Sequence, residues 1–142
     1  MEKIYNLAKN SGACAPGLKS IQAAENVADL IKLLKTPKGI EFAMDSEFLP
    51  FEVLEEYRSD LEKECIFING HHHVESSRLV MAFGGEIDIK VDGFQVCEIY
   101  AKGNSNINLV ASDNAFVSIE SYGQAKVVIN KNGNAKVKEY KK

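Results

Sequence analysis

A ten-residue repeat fills the C-terminal third of the chain and restricts its fold more than any other feature. Read in tens from Gly93, the units are GFQVCEIYAK, GNSNINLVAS, DNAFVSIESY, GQAKVVINKN and GNAKVKEYKK. Each opens with Gly or Asp, and four of the five continue with Asn or Gln and then Ser or Ala. The fifth place is always apolar: Cys97, Ile107, Val117, Val127 and Val137. The seventh is apolar in Ile99, Leu109, Ile119 and Ile129, and becomes Glu139 in the last unit. One short strand and one turn per unit satisfy this pattern.

The parity of the repeat bears on how the strands are joined. All the inward candidates are odd-numbered. Directly opposed residues of an antiparallel hairpin share a face, so their numbers have a constant sum. A two-residue turn makes that sum odd and sends successive apolar sets to opposite faces. A three-residue loop restores the parity, so a meander with that loop at every corner stays open. Coiling the chain in one direction needs no special loop. With two units per turn, residue i stacks on i+20: Cys97 on Val117 on Val137, and Leu109 on Ile129. Three units per turn would stack i on i+30. Asn114 over Asn134 and Asn104 over Gln124 suggest amide ladders at the corners.

The expected fold is α+β, with N-terminal helices (1–64) capping a right-handed, single-chain β-solenoid (65–142). Ile87, Ile89 and Val91 share the later register, so the repeat is expected to begin near residue 83, or earlier in a degraded form. A solenoid's first coil exposes apolar surface and needs a cap. Ile4, Leu7 and Ala8 mark a first short helix stopped at Ser11-Gly12. Residues 12–19 read as a loop, with Ser20 capping a helix that carries the stripe Val27, Leu30, Ile31 and Leu34. Thr36-Pro37 ends that helix and starts another, with Ile40, Ala43 and Met44 on one face. Pro50 opens a third, with Phe51, Leu54, Tyr57 and Leu61 inward and Glu52, Glu55 and Glu56 outward.

Strands with Gly/Asn-Ala corners resemble the β-helical repeats of bactofilins and of adhesin-head domains. The whole layout, a small helical front before repeats such as ASDNAFVSIESYGQAKVVI, is similar to uncharacterised proteins of Bacteroidetes genomes and their phages. The resemblance implies a structural or binding role and brings no catalytic motif.

The chemistry-bearing residues are few. His71, His72 and His73 are the only histidines. His71 and His73 would share a strand face and could chelate a metal. No CxxC, HExxH or second His cluster accompanies them, so a polar turn after Asn69-Gly70 and no structural metal are expected. The acids from Glu52 to Glu64 have the spacing of a solvated helix face. Cys97 falls at an inward place and reads as an apolar filler, while Cys14 lies in the expected loop. Three cysteines without motif spacing argue against a disulfide framework, and the N-terminus lacks the order of a secretory signal. A cytoplasmic setting is expected. No phosphate-binding loop is present. No catalytic residue and no cofactor are expected, and the protein is read as a non-enzyme.

Partners follow from the surface. Net charge is −3, yet residues 123–142 hold six lysines against one acid. That tail could meet phosphate backbones, but lysines on a last strand also protect an open edge. Glu139 at an inward place further opposes end-to-end stacking, leaving coil sides or helices for any oligomer. Val110, Phe116 and Val128 are the candidate protein-partner surface. The expected function is a structural or protein-interaction module. The alternative is a small-ligand, metal or nucleic-acid binder using His71–His73 or the lysines.

Overall fold

The structure, a computed structural model, describes residues 2–142. The chain divides into two compact units, Met1–Leu61 and Glu62–Lys142. The described residues form six helices and seven strands.

The first unit is built from short helices whose ends are fixed by local chemistry. They are α1 (Glu2–Asn10), α2 (Ala15–Ala23), α3 (Val27–Leu34), α4 (Pro37–Asp45), α5 (Phe51–Glu56) and α6 (Arg58–Lys63), which runs into the second unit. The expected loop over 12–19 is largely helix: Pro16 stands in the first turn of α2, where its missing N–H costs nothing. Ser20 is one turn inside that helix and donates its hydroxyl to the Pro16 carbonyl at 3.1 Å. The expected single helix from Ser20 to Leu34 is two. Asn26 Oδ1 accepts the Asp29 N–H at 2.9 Å, and Asp29 Oδ2 accepts the Glu25 N–H at 3.0 Å. Together the two side chains pair two backbone donors where the chain enters α3. The next helix starts at Thr36-Pro37 as expected, and the Thr36 hydroxyl caps α4, accepting the Gly39 N–H at 3.1 Å. The third expected helix breaks at Tyr57, whose backbone leaves the helical region. Phe51, expected inward, is exposed, while Val53, Leu54 and Leu61 are buried.

The second unit is a β-solenoid. Its strands are β1 (Ile66–Phe67), β2 (His71–Glu75), β3 (Leu79–Val91), β4 (Val96–Ala111), β5 (Phe116–Ser121), β6 (Lys126–Lys131) and β7 (Lys136–Lys141). Every strand pairing is parallel. Val96 pairs with Phe116, Asn106 with Lys126 and Phe116 with Lys136, so one coil takes 20 residues and two repeat units. Two rows of strands result. One contains β1, the start of β3, the start of β4, β5 and β7. The other contains β2, the end of β3, the end of β4 and β6. Between them lies a continuous core that includes Ile87, Ile99, Ile107, Leu109, Val117 and Ile119, all fully buried. Parallel strands arranged this way turn apolar side chains inward at every second residue while the outer faces stay polar.

Left-handed corners explain why each unit opens with Gly or Asp. Gly93, Gly103, Asp113, Gly123 and Gly133 have φ between 59° and 66°, a region that costs little for Gly and is tolerated by Asp. The expected Asn side-chain ladder is not what joins these corners. Asn114 donates its backbone N–H to the Gly93 carbonyl at 2.9 Å, and Asn134 to that of Asp113 at 2.8 Å. Asp113 adds a side-chain link, its Oδ2 accepting the Gly93 N–H at 3.0 Å.

Coiling starts earlier than residue 83. Ile66 pairs with Met81 and His71 with Glu86, a spacing of 15 rather than 20. Shorter strands and tighter corners, including Ser76 at φ 61°, remove five residues. The odd spacing reverses parity in β2: Val74 aligns with Ile89 and His72 with Ile87.

Candidate functional site

The histidine run is a strand, not the expected turn. Its alternation divides the three residues between two environments. His72 takes the inward place, stacks on Phe67 with ring centroids 4.3 Å apart, and holds the Asn69 carbonyl at 2.7 Å through Nε2. His71 and His73 point outward, their rings 5.0 Å apart. Neighbouring β3 presents Asp88 between them. His71 Nε2 lies 2.7 Å and His73 Nδ1 3.4 Å from the same Asp88 oxygen, Oδ2. The other oxygen, Oδ1, accepts a hydrogen bond from Asn108 Nδ2 on β4 at 2.9 Å. Asn108 also donates to Glu86 Oε1 at 3.2 Å. One polar row thus crosses three successive strands.

Electrostatics follow the geometry. The hydrogen bond to Asp88 raises the His71 pKa above its usual 6.5, outweighing the opposing effect of desolvation, with the Asp88 and Glu86 charges adding to the rise. Hydrogen bonds from Asn108 and then His71 lower the Asp88 carboxyl below its usual 3.8. His71, raised, contributes stability that is complete below its unfolded value and fades as pH rises through the folded one. Asp88, lowered, contributes above its unfolded value and loses that contribution in acid. The pair is therefore strongest between about pH 4 and 6.5. Both groups lie at the surface, where screening keeps the effect small.

The first unit contains a second feature, an apolar cleft of about 630 Å³. Ile21, Leu30, Leu34, Phe42, Phe48 and Leu49 are among the residues lining it. Two polar groups at its wall are engaged locally: Ser20 donates to Pro16, and the Thr36 hydroxyl donates to the Leu33 carbonyl at 2.7 Å; Lys38 and Tyr57 also line it. Cys14, exposed at the start of α2, lies at the edge.

The remaining candidates are placed as follows. Val110 and Val128 stand exposed on one row, two register positions apart, whereas Phe116 is half-buried on the other, above exposed Val96. The three do not form one surface. Lys138 Nζ lies 5.7 Å from the Phe116 ring centroid. The six C-terminal lysines sit on or beside β6 and β7, the last strands of the two rows, and Lys142 reaches Glu120 at 3.7 Å. Glu139 occupies the place opposite Ile119 and is exposed. Cys97 is fully buried, and burial pushes its thiol up to about 12, so it is an inert part of the core. Glu52, Glu55 and Glu56 are exposed, with Glu55 paired to Arg58 at 3.2 Å.

Sequence reading missed Asp88 and the cleft. The alternation Glu86-Ile87-Asp88-Ile89-Lys90 signals an outward acidic face on β3. Only the 15-residue spacing of the first coil sets that face beside His71 and His73. No family model, curated protein or solved structure matches the chain. What stands of the resemblance is the β-solenoid architecture itself. Among the described residues no helix is long and apolar enough to cross a membrane.

Proposed function

We propose that the protein is a non-enzymatic interaction module whose helical unit receives the apolar face of a cationic amphipathic protein segment. The observation that carries this reading is the 630 Å³ cleft and the nature of its walls. Small polar metabolites are held by a few convergent polar groups that fix their orientation. Here the Ser20 and Thr36 hydroxyls are already bonded to local carbonyls, and most other wall residues are apolar. An apolar cleft between helices suits instead the side chains of a partner helix, read as anchors one turn apart. Charge supports a basic partner: Met1–Leu61 carries ten acids and seven bases. The style of the repeat, similar to that of bactofilins, adhesin heads and small Bacteroidetes or phage proteins, supports a scaffold role for the solenoid. Nucleic-acid binding has weaker support, because the lysines are spread along two strand edges. The free cysteines suit a reducing, cytoplasmic setting.

Binding of a fluorescent leucine-lysine helical peptide of about 18 residues tests the reading. Binding is expected to weaken with salt and to fall at least tenfold in Leu30→Glu, with helical content checked by circular dichroism. A scrambled peptide of equal composition should not bind. Equal binding of both peptides, or undiminished binding by a folded Leu30→Glu variant, would contradict the proposal.

A further inference from the structure

We propose that His71, His73 and Asp88 form a binding site for one nitrogen-preferring divalent metal ion of the zinc and nickel class. Three features of the row support it. First, two imidazole nitrogens converge on a single carboxylate oxygen, at 2.7 and 3.4 Å. Bonds of about 2.0–2.2 Å from a metal to N and O ligands imply ligand-ligand edges of roughly 2.9–3.4 Å. The two distances lie close to that range. The three ligand atoms all fall within 4.8 Å of one another. His73, with its side chain 75% exposed, has the freedom to close the triangle.

Second, the chemistry of the set suits a cation. Neutral imidazoles offer the lone pairs that such an ion takes, and the Asp88 carboxylate supplies negative charge beside them. Third, the carboxylate is already oriented from behind. Asn108 holds Oδ1 from the next strand and ties it to Glu86. Outer hydrogen bonds of this kind fix a ligand's direction and tune its affinity.

Two histidines and one carboxylate on one side of an ion leave its remaining positions to water. Imidazole nitrogens favour zinc, nickel, copper or cobalt over magnesium or calcium, which prefer all-oxygen sets. His71 and His73 lie on β2 and Asp88 on β3, so a bound ion would staple the irregular first coil to the coil after it. The ion would stabilise the solenoid by mass action, since the unfolded chain does not hold the three groups together.

Titration calorimetry of the untagged chain with ZnCl₂ near pH 7.5, paired with thermal melts, tests the site. One ion per chain is expected, with a rise in melting temperature that MgCl₂ does not produce. Asp88→Asn and His73→Gln should each weaken affinity at least tenfold. Asn108→Ala should cost about tenfold through the lost orientation, and Glu75→Gln should cost nothing. His73→Gln alters an exposed side chain, so its folding is secure where that of Asp88→Asn is not. Absence of zinc binding at about 100 μM would overturn the proposal. So would unchanged affinity in a folded His71→Gln/His73→Gln variant.

Discussion

Ile107→Asp is expected to unfold the solenoid as a whole. Ile107 is fully buried and stands in register between Ile87 and Val127, so its neighbours above and below are apolar. A carboxylate there has no hydrogen-bond donor or cation to pair with. Its burial, or its forced protonation, costs roughly 3–5 kcal/mol. A domain of this size shifts by roughly 4–8 °C per kcal/mol, so melting should fall by about 15–30 °C. Each coil rests on the next, so the loss should spread beyond the mutated strand. Val128→Asp, one residue along from Val127 but facing solvent, is the matched control and should shift melting by only a few degrees. Circular dichroism melts of the two variants give the comparison, and equal melting temperatures would place the register wrongly.

The second large effect is expected at a corner. Gly85 has φ +93°, and a Cβ added there would lie 2.7 Å from the Gly70 carbonyl oxygen and 2.9 Å from the Asn69 carbonyl carbon. Both obstacles are backbone, so no side chain can swing aside. Gly93 has φ +59° and nothing within 4 Å of the same position. Gly93→Ala therefore carries only the left-handed conformational cost, about 1–2 kcal/mol. Gly85→Ala adds displacement of the neighbouring coil, and about 3 kcal/mol or more is expected. Hydrogen exchange should show protection lost first in β1, β2 and the adjoining half of β3. Equal destabilisation by the two substitutions would mean that the coils do not approach as closely as described.

What could be read from the sequence was what repeats. Cys97, Val117 and Val137 stack at 20-residue intervals because the same environment recurs at the same place, and repetition turns local preference into long-range register. The Gly/Asp corner was legible for the same reason. Features that occur once were not. The break between α2 and α3 lies at Asn26, whose side chain caps the Asp29 N–H just before the apolar stripe from Val27 to Leu34. The register of the first coil escaped because its spacing of 15 reverses parity, which sends Val74 and His72 inward and brings His71 and His73 against Asp88. Phe51 fits the same i, i+3 spacing as buried Leu54 yet stands at the first helical position and is exposed, a difference that periodicity does not reveal. The cleft depends on how α2–α5 pack together, and no local pattern encodes an unfilled volume between helices.

The central claim is a parallel coil of 20 residues per turn, and intramolecular cross-linking tests it most directly. In parallel neighbours paired residues sit about 5 Å apart, within reach of a disulfide. Asn108 and Val128 are such a pair and both project outward. With Cys14→Ser to remove the exposed native thiol, the combination Asn108→Cys and Val128→Cys should form an intramolecular disulfide under mild oxidation. Peptide mass mapping of the dilute protein would identify it. An antiparallel meander turning at Asp113 would instead set Asn108 opposite Ser118, and a 30-residue coil would set it beside Lys138. Rapid bonding of the 108–128 pair, without bonding when Cys replaces Ser118 or Lys138 in its place, is the predicted result. Preferential bonding in either of those other combinations would contradict the fold.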